Sequence, residues 1–212
     1  MLLADDHLVM RRGLRTLIDT MPGCSVCGEV GSGREAVAAV GRLQPDIVVM
    51  DMSMPDLNGL EATRQIKRAR PETEIMIFTG IETEELVHQV FEAGARSYIL
   101  KTAGGEQIAA ALRALAMHKP YFTPEIGEIL FARLLQPKNG PDKSQAAGRL
   151  TDREREIVQL LAEGLSNKEA AEKLGISVKT VETHRAAIMK KLKMNSFADL
   201  VRYAIRNHII SA

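Results

Sequence analysis

Residues 45–59, PDIVVMDMSMPDLNG, decide how the rest of the sequence is interpreted. Residues 47–50 form an unbroken apolar run rich in β-branched side chains, and such a run predicts a strand that is buried on both faces of a parallel sheet. Asp51 stands at the carboxyl end of this strand, where open α/β sheets leave a crevice between their loops. A strand-ending Asp also caps helices in many proteins, so the remaining sequence has to discriminate between a cap and a chemical site.

Strand and helix patterns alternate on both sides of this stretch. Short apolar runs predict further strands at residues 1–4, 25–30, 74–78 and 97–100. Helical periodicity predicts a first helix that contains Leu14, Leu17 and Ile18, and four more helices at residues 33–43, 59–70, 82–93 and 106–117. Five strands that alternate with five helices predict a doubly wound, five-stranded parallel sheet with right-handed connections.

Polar side chains follow four of the predicted strands. Asp5 and Asp6 end the first strand, Asp51 the third, Thr79 the fourth and Lys101 the fifth. Carboxyl ends of parallel strands meet at one edge of the sheet, so we expect these five side chains to lie together. Crowded carboxylates repel one another unless a cation neutralises them, and Mg²⁺ binds carboxylates and carbonyls beside phosphate groups. The pattern predicts phosphoryl transfer with Asp51 as the nucleophile and with lysine and threonine as ligands of the phosphoryl oxygens.

Two other enzyme classes share parts of this pattern. Gly31, Gly33 and Ala36 form G-x-G-x-x-A after a strand, with Asp51 20 residues beyond Gly31, as in dinucleotide-binding domains. That interpretation leaves the acidic pair and the residues at the ends of the later strands unexplained. Haloacid-type phosphatases need a second acid two residues after the nucleophile, and Ser53 occupies that position.

The cysteines Cys24 and Cys27 form a C-x-x-C motif in a segment that we interpret as a strand. Residues i and i+3 of a strand point to opposite faces. Two thiols also cannot complete a tetrahedral zinc site. We therefore predict structural thiols and no metal or redox centre.

The charge is distributed unevenly along the chain. Residues 1–124 hold 13 Lys and Arg against 16 Asp and Glu, a net charge of −3, whereas residues 149–212 hold 12 against 8, a net charge of +4. Any nucleic-acid contact is therefore expected in the basic tail. No apolar run approaches the roughly 20 residues of a membrane span, and no export signal is recognisable. The expectation is a cytoplasmic protein without a membrane partner.

The last third of the chain has the spacing of a helix-turn-helix domain. Residues 121–148 are predicted to be a linker region with a helix at 125–135, whose apolar face favours a packed role over a tether. Thr151 and Glu154 form a capping box at the start of a helix. Further helices are predicted at residues 167–174, 177–192 and 196–206. We therefore predict an all-α domain at residues 149–212 that binds double-stranded DNA.

The helix at 177–192 is the candidate for contact with DNA. Val178, Val181, Ile188 and Leu192 are predicted to face the core. Glu182 either accepts a hydrogen bond from a base or belongs to an intrahelical charge ladder, and both alternatives stay open. The predicted DNA-contacting residues are Lys179, Thr180, Glu182, Thr183, Arg185, Ala186, Lys190 and Lys191.

Both parts of the chain resemble a known family. Residues 1–120 resemble a response-regulator receiver domain, a flavodoxin-like fold, and the motif LTDREREIVQLLAEGLSNKEAAEKLGISVKTVETHRAAIMKKL resembles the LuxR-type DNA-binding domain. Together they make the chain similar to NarL/FixJ-type transcription regulators. The receiver-like motifs are the acidic pair, D-x-x-M-P-x-x-x-G, a threonine and Y-x-x-K, which correspond here to Asp5, Asp6, Asp51, Met54, Pro55, Gly59, Thr79, Tyr98 and Lys101.

The resemblance carries functional implications. It implies that a sensor histidine kinase phosphorylates Asp51, that Mg²⁺ or Mn²⁺ binds the acidic pair, Asp51 and the Ser53 carbonyl, and that Tyr98 is the switch aromatic. It further implies a homodimer when the protein is phosphorylated, and no enzymatic activity beyond its own phosphoryl transfer and slow self-dephosphorylation. The alternative is a phosphorylation-independent DNA-binding or protein-interaction adaptor. Members of the family commonly have a cis proline after the lysine, whereas Thr102 follows Lys101 here.

Overall fold

The structure, a computed structural model, describes residues 1–135 and 150–210 of the chain, and for residues 133–135 it describes the backbone alone. The chain divides into two compact units, Met1–Gln136 and Pro137–Ala212. Residues 136–148 of the predicted linker region lie outside the described residues. No helix in the described parts of the chain is long and apolar enough to cross a membrane.

The first unit is a parallel sheet with helices on both faces. Its strands are β1 (Leu2–Ala4), β2 (Gly28–Val30), β3 (Ile47–Met50), β4 (Glu74–Thr79), β5 (Ser97–Leu100) and β6 (Tyr121–Phe122). Its helices are α1 (Leu8–Asp19), α2 (Gly33–Leu43), α3 (Gly59–Ala69), α4 (Glu84–Glu92), α5 (Gly105–Ala116) and α6 (Pro124–Leu135). The strand order is β2-β1-β3-β4-β5-β6, and every pairing is parallel. The predicted doubly wound sheet is confirmed.

The sheet differs from the prediction at both edges. A sixth strand, β6, pairs with β5 through Tyr121 and Phe122. Two residues carry no recognisable period, so the sequence pattern does not reveal such a strand. At the other edge, β2 begins at Gly28 and not at residue 25. Cys24 and Cys27 are therefore free thiols outside the strand, with Cys27 exposed, and not strand residues as predicted.

Two apolar cores lie on opposite faces of the sheet. One core contains side chains of α2, α3 and α4, represented by Val40, Ile66 and Val87. The other contains side chains of α1 and α5, represented by Ile18 and Leu112. All four residues of β3 are buried, which agrees with the unbroken apolar run in the sequence. The double burial of β3 fixes the strand that carries Asp51 between two packed layers.

Glycine permits two close backbone approaches near Asp51. A Cβ atom on Gly59 would lie 2.0 Å from the Asp51 carbonyl oxygen, and one on Gly33 would lie 2.1 Å from the Leu57 carbonyl oxygen. Gly33 therefore lets α2 pack against the loop after β3. This contact explains one glycine of the G-x-G-x-x-A motif without a dinucleotide.

Helix α6 packs on the first unit. Ile126 is buried in the core under α2, α3 and α4, and Ile129 and Leu130 pack against the same core at partial burial. Phe122, just before the helix, makes an edge-to-face contact with Phe91 of α4, with 4.8 Å between the ring centroids. The compact unit thus extends beyond the predicted boundary at residue 120, because this apolar face is buried against α4.

The second unit contains four described helices. They are α7 (Asp152–Ala162), α8 (Asn167–Leu174), α9 (Val178–Lys191) and α10 (Phe197–Arg206). Capping boxes begin α7, α8 and α10. Gly175, with φ of +63°, ends α8 and makes the tight turn into α9. The core includes Ile157 and Leu161 of α7, Val181 and Ile188 of α9 and Leu200 of α10.

Candidate functional site

The sheet register brings the predicted site residues to one edge. Ala4 pairs with Met50, so Asp5 and Asp51 both follow at the carboxyl edge of neighbouring strands, and the Asp51 amide donates to the Ala4 carbonyl at 2.7 Å. Thr79 pairs with Leu100, and the Lys101 amide donates to the Thr79 carbonyl at 2.8 Å. Asp5, Asp51, Thr79 and Lys101 therefore stand at the same edge, as the sequence pattern predicts.

Lys101 joins two of the carboxylates. Its Nζ atom lies 2.8 Å from Oδ2 of Asp5 and 3.0 Å from Oδ2 of Asp51. The two aspartate side chains are 3% exposed and the lysine side chain is 18% exposed. Burial works against the charged lysine, but the two carboxylates outweigh it and raise the pKa of Lys101 above its ordinary value. The lysine therefore stays cationic and neutralises part of a buried negative charge.

The charged form of Asp51 is destabilised even though the Lys101 ammonium lies beside it. Burial, the largest effect, raises the pKa of Asp51 to about 6, and the nearby Asp5 carboxylate adds to the rise. Lys101 and the Met52 amide, which donates to Oδ1 of Asp51 at 2.8 Å, act in the opposite direction. One lysine is thus insufficient to compensate the two acids, and the site favours a second cation.

The acidic residues fit a divalent metal. One ligand atom from each of Asp5, Asp6, His7 and Asp51 lies within 4.8 Å of the others. Oδ2 of Asp5 and Oδ2 of Asp51 are buried and receive no hydrogen bond of regular geometry within the described residues, although both contact the Lys101 ammonium. Carboxylate oxygens whose negative charge is only partly neutralised suit Mg²⁺. Ser53 is half-buried in the same loop.

Two residues that the sequence interpretation did not assign to the site also lie here. His7 Nδ1 lies 2.7 Å from Oδ1 of Asp6 and 3.2 Å from Oδ1 of Asp5. Arg11, one turn into α1, donates to the Asp5 carbonyl oxygen. The adjacency of Asp5, Asp6 and His7 in the sequence was a signal for the histidine, whereas the Arg11 contact depends on how α1 packs.

Thr79 and Tyr98 both form hydrogen bonds with the backbone of Ile81. The Ile81 amide donates to Oγ1 of Thr79 at 3.2 Å, and the Tyr98 hydroxyl donates to the Ile81 carbonyl oxygen. Tyr98 is fully buried, and its burial, aided by Glu82, raises its pKa. The two residues are therefore coupled through the backbone of the β4–α4 loop. No peptide bond within the described residues is cis, so Lys101–Thr102 is trans.

The exposed face of helix α9 contains the residues that the sequence predicts. One residue that was predicted to face the core, Val178, is exposed. Lys179, Glu182, Thr183 and Ala186 are all exposed, and Val181 and Ile188 are buried. Val178 was predicted to face inward but is 39% exposed. It is the first residue of α9, where the helix has only begun to approach the core.

The charges of α9 are not all available to a ligand. Lys191 Nζ lies 2.8 Å from Oε2 of Glu154 in the capping box of α7. Burial opposes the charge of Glu154, but its hydrogen bonds to Lys191 and Thr151 prevail and lower its pKa. Lys179 Nζ lies 3.5 Å from Oε2 of Glu182, which supports the ladder alternative, while Arg185 lies over the Phe197 ring.

Thr180 belongs to the start of α9. Its amide donates to Oγ of Ser177 at 3.0 Å, and the two hydroxyl groups lie 2.8 Å apart. Thr180 is only half-exposed, and its hydroxyl is engaged in the helix cap, unlike the open face formed by its neighbours. Its predicted DNA contact stays a prediction.

An α/β domain with an acidic crevice, joined to a helix-turn-helix domain, defines a class of signalling proteins that act on DNA. Residues 1–113 match the response regulator receiver domain, and residues 148–204 match the luxR family of bacterial regulatory proteins. The chain therefore belongs to the response regulators that carry a LuxR-type DNA-binding domain. It is a transcriptional regulator of a two-component system.

Similar proteins cover nearly the whole chain. The transcriptional regulatory protein LiaR of Bacillus subtilis is 37% identical over 99% of this chain and 98% of its own length. The response regulator VraR of Staphylococcus aureus is 36% identical over 99% of this chain and 97% of its own length.

Solved structures share the fold. RcsB of Salmonella typhimurium matches with a TM-score of 0.62 and 26% identity over 95% of this chain and 94% of that chain. A LuxR-family response regulator from Aurantimonas matches with a TM-score of 0.59 and 35% identity over 63% of this chain and 96% of that chain. RcsB has also been solved bound to a promoter in the presence of the phosphomimetic BeF3⁻.

Proposed function

We propose that a sensor histidine kinase phosphorylates Asp51 and that this modification switches the binding of promoter DNA. The observation that carries the proposal is the position of Lys101, whose ammonium contacts the buried carboxylates of Asp5 and Asp51 at 2.8 and 3.0 Å. Such an arrangement pairs a nucleophile with a fixed positive charge where phosphoryl oxygens would lie. A purely structural ion pair would not need a further carboxylate, Asp6, beside it.

Different residues of the chain have different roles in the phosphoryl transfer. A carboxylate oxygen of Asp51 attacks phosphorus in line, and an acyl phosphate forms as the phosphorus–nitrogen bond of phosphohistidine breaks and the imidazole keeps the electron pair. Lys101 and the Thr79 hydroxyl stabilise the charge on the transferring group. Asp5, Asp6, Asp51 and the Ser53 carbonyl would hold Mg²⁺, which would supply further neutralisation of this charge. Beyond this reaction and slow hydrolysis of its own acyl phosphate, the chain catalyses nothing.

Acetyl phosphate tests the proposal without knowledge of the kinase. Incubated with Mg²⁺ and acetyl phosphate, the full chain is expected to gain the mass of one phosphoryl group, mapped to Asp51, in a bond that resists acid and breaks in base. EDTA is expected to prevent the gain. A chain that gains no mass yet binds DNA would contradict the proposal and support the phosphorylation-independent adaptor.

The signal is proposed to leave the crevice through the backbone of Ile81, whose amide contacts Thr79 and whose carbonyl contacts Tyr98. If Thr79 turns toward a phosphoryl oxygen, the Ile81 amide loses its acceptor, and the hydrogen bond from Tyr98 to the Ile81 carbonyl is disturbed as well. Thr79→Ala and Tyr98→Ala are expected to keep the Asp51 adduct but lose most of the phosphorylation-dependent gain in dimerisation and DNA affinity. Sedimentation and DNA titration measure this, with Tyr121→Phe as the control. Normal coupling in both alanine variants would contradict the route.

The second unit is proposed to bind promoter DNA as a homodimer, with α9 in the major groove. The support is the exposed face of α9, together with RcsB, whose structures include two dimers bound to two DNAs. Binding by two copies suits a palindromic operator.

Two adjacent lysines of α9 are expected to behave differently. Lys190 is exposed and makes no ion pair within the described residues. Lys190→Ala should therefore weaken DNA binding, and the slope of log K against log salt concentration (the salt slope) should decrease in magnitude by roughly 0.9. Lys191 is paired with Glu154, so Lys191→Ala should mainly cost stability, about 1 kcal/mol. DNA titrations over a range of salt concentrations and urea denaturation separate the two effects. Equal loss of salt slope in both variants would contradict this assignment.

A further inference from the structure

Arg185 of α9 rests on an aromatic side chain from the next helix. Its guanidinium carbon lies 5.6 Å from the centroid of the Phe197 ring. Phe197 is the first residue of α10, and 42% of it is exposed, which is a large fraction for an apolar side chain. A guanidinium over an aromatic face is attracted by the electrons of the ring. The two side chains thus form a stacked pair at the surface of the second unit.

Arg185 differs from two neighbouring cations in having no carboxylate partner among the described residues. Lys179 is 3.5 Å from Glu182, and Lys191 is 2.8 Å from Glu154. The ring is a neutral partner, so it orients the guanidinium without cancelling its charge. An oriented and uncompensated guanidinium is suited to an anion, because its planar fork can donate two parallel hydrogen bonds to phosphate oxygens.

The pair lies at the border of the exposed face of α9. Arg185 is half-buried and lies one turn from Glu182, which belongs to that face. With Phe197 it lines a shallow cleft of about 340 Å³, which Ser166 and Asn167 at the start of α8 also line. Oδ1 of Asn167 is buried and has no hydrogen-bond partner within the described residues. The guanidinium therefore stacks on α10 in a cleft that the start of α8 also lines.

We infer that Phe197 is a positioning residue for DNA binding, which holds the Arg185 guanidinium ready for a phosphate of the DNA backbone. The inference rests on the proposed binding of DNA by α9. A free arginine side chain loses rotamer freedom when it binds, and stacking removes part of that cost beforehand. Phe197 itself needs no contact with DNA in this arrangement.

The experiment uses the full chain after incubation with Mg²⁺ and acetyl phosphate. A fluorescein-labelled pool of random-sequence 24-bp duplexes is titrated by anisotropy over a range of salt concentrations. Arg185→Ala is expected to weaken binding and to lower the salt slope by roughly 0.9. Phe197→Leu, which keeps an apolar side chain but removes the ring, should weaken binding about two- to fivefold. Phe197→Tyr should bind as the wild type does. Phe131→Leu, at another exposed phenylalanine on α6, is the matched control and should change nothing.

The double variant Arg185→Ala with Phe197→Leu tests whether Phe197 acts through Arg185. Phe197→Leu is expected to have no further effect in the Arg185→Ala background, because its role passes through the guanidinium. The inference would be overturned if Phe197→Leu lost the same DNA affinity in the wild-type and Arg185→Ala backgrounds. It would also be overturned if Phe197→Leu kept the wild-type affinity or changed the monomer–dimer equilibrium. Arg185→Lys keeps the charge but loses the planar stack. It covers the case in which Phe197→Leu does not fold, since unchanged affinity in Arg185→Lys would overturn the inference as well.

These failures are distinct from failure of the proposed function. If the wild-type chain carries the phosphoryl adduct and still binds no duplex at low salt, DNA binding by α9 is wrong. If the wild-type chain binds and the two substitutions act independently, only the role of Phe197 is wrong.

Discussion

Replacing Asp51 with asparagine is expected to abolish the phosphoryl adduct and, at the same time, to stabilise the metal-free protein at neutral pH. The loss of the adduct follows from the loss of the nucleophile. The gain in stability follows from the buried position of Asp51, where burial and then the Asp5 carboxylate raise its pKa to about 6. Asparagine fills the same space without a charge that has to be buried.

The sign of the pH dependence follows from the raised pKa of Asp51. Since the folded-state value of about 6 lies above the ordinary value of 3.8, the folded chain binds this proton more tightly than the unfolded chain. The contribution of Asp51 is therefore most favourable below about pH 4, falls as pH rises to about 6, and is constant above that. At 1.36 kcal/mol per unit the total change is of the order of 3 kcal/mol.

Urea denaturation in EDTA between pH 4 and pH 8 measures this effect as the difference between the wild type and Asp51→Asn. The difference should grow from pH 4 to pH 6 in favour of the variant, and Mg²⁺ should reduce it by stabilising the wild type. Asp46→Asn, an exposed carboxyl just before the other end of β3, is the control and should keep both the adduct and the wild-type pH dependence. An adduct that persists in Asp51→Asn would refute the assignment of the nucleophile.

Replacing Lys101 with alanine is expected to have the second-largest effect, on both rate and stability. The variant loses the only cationic side chain that contacts both Asp5 and Asp51 within the described residues. Without that charge, phosphorylation by acetyl phosphate should slow by roughly 100-fold or more. Removal of one partner from a buried ion pair also costs about 3–5 kcal/mol at neutral pH, because the remaining carboxylates repel without compensation.

A double variant separates charge compensation from simple packing. Lys101→Ala combined with Asp51→Asn should recover part of the lost stability, since one uncompensated carboxylate is removed. Lys119→Ala, at an exposed lysine after α5, should leave rate and stability unchanged. Strictly additive stabilities in the double variant, or a normal phosphorylation rate in Lys101→Ala, would show that Lys101 does not act through the carboxylates.

Several features of the site follow from local sequence. The apolar run at residues 47–50 predicts β3 with its observed bounds, because complete burial of a short strand requires an unbroken apolar segment. The polar residues that follow the strands predict the shared edge, because parallel strands end on the same side. The capping box at Thr151 and the turn at Gly175 are equally local, since their hydrogen bonds and dihedral angles involve residues close in sequence.

The sequence alone thus determined the α/β first part and the helical second part of the chain, five of the six described strands, and the meeting of Asp5, Asp51, Thr79 and Lys101 at one edge. Tertiary structure decided which partner each charged or apolar side chain takes. Lys191 pairs with Glu154 across 37 residues, Arg185 stacks on Phe197 of another helix, and α6 buries Ile126 under α4. Periodicity tells which face of an element is apolar. The partner across that face depends on how separate elements pack in space, and residue spacing along the chain carries no such information.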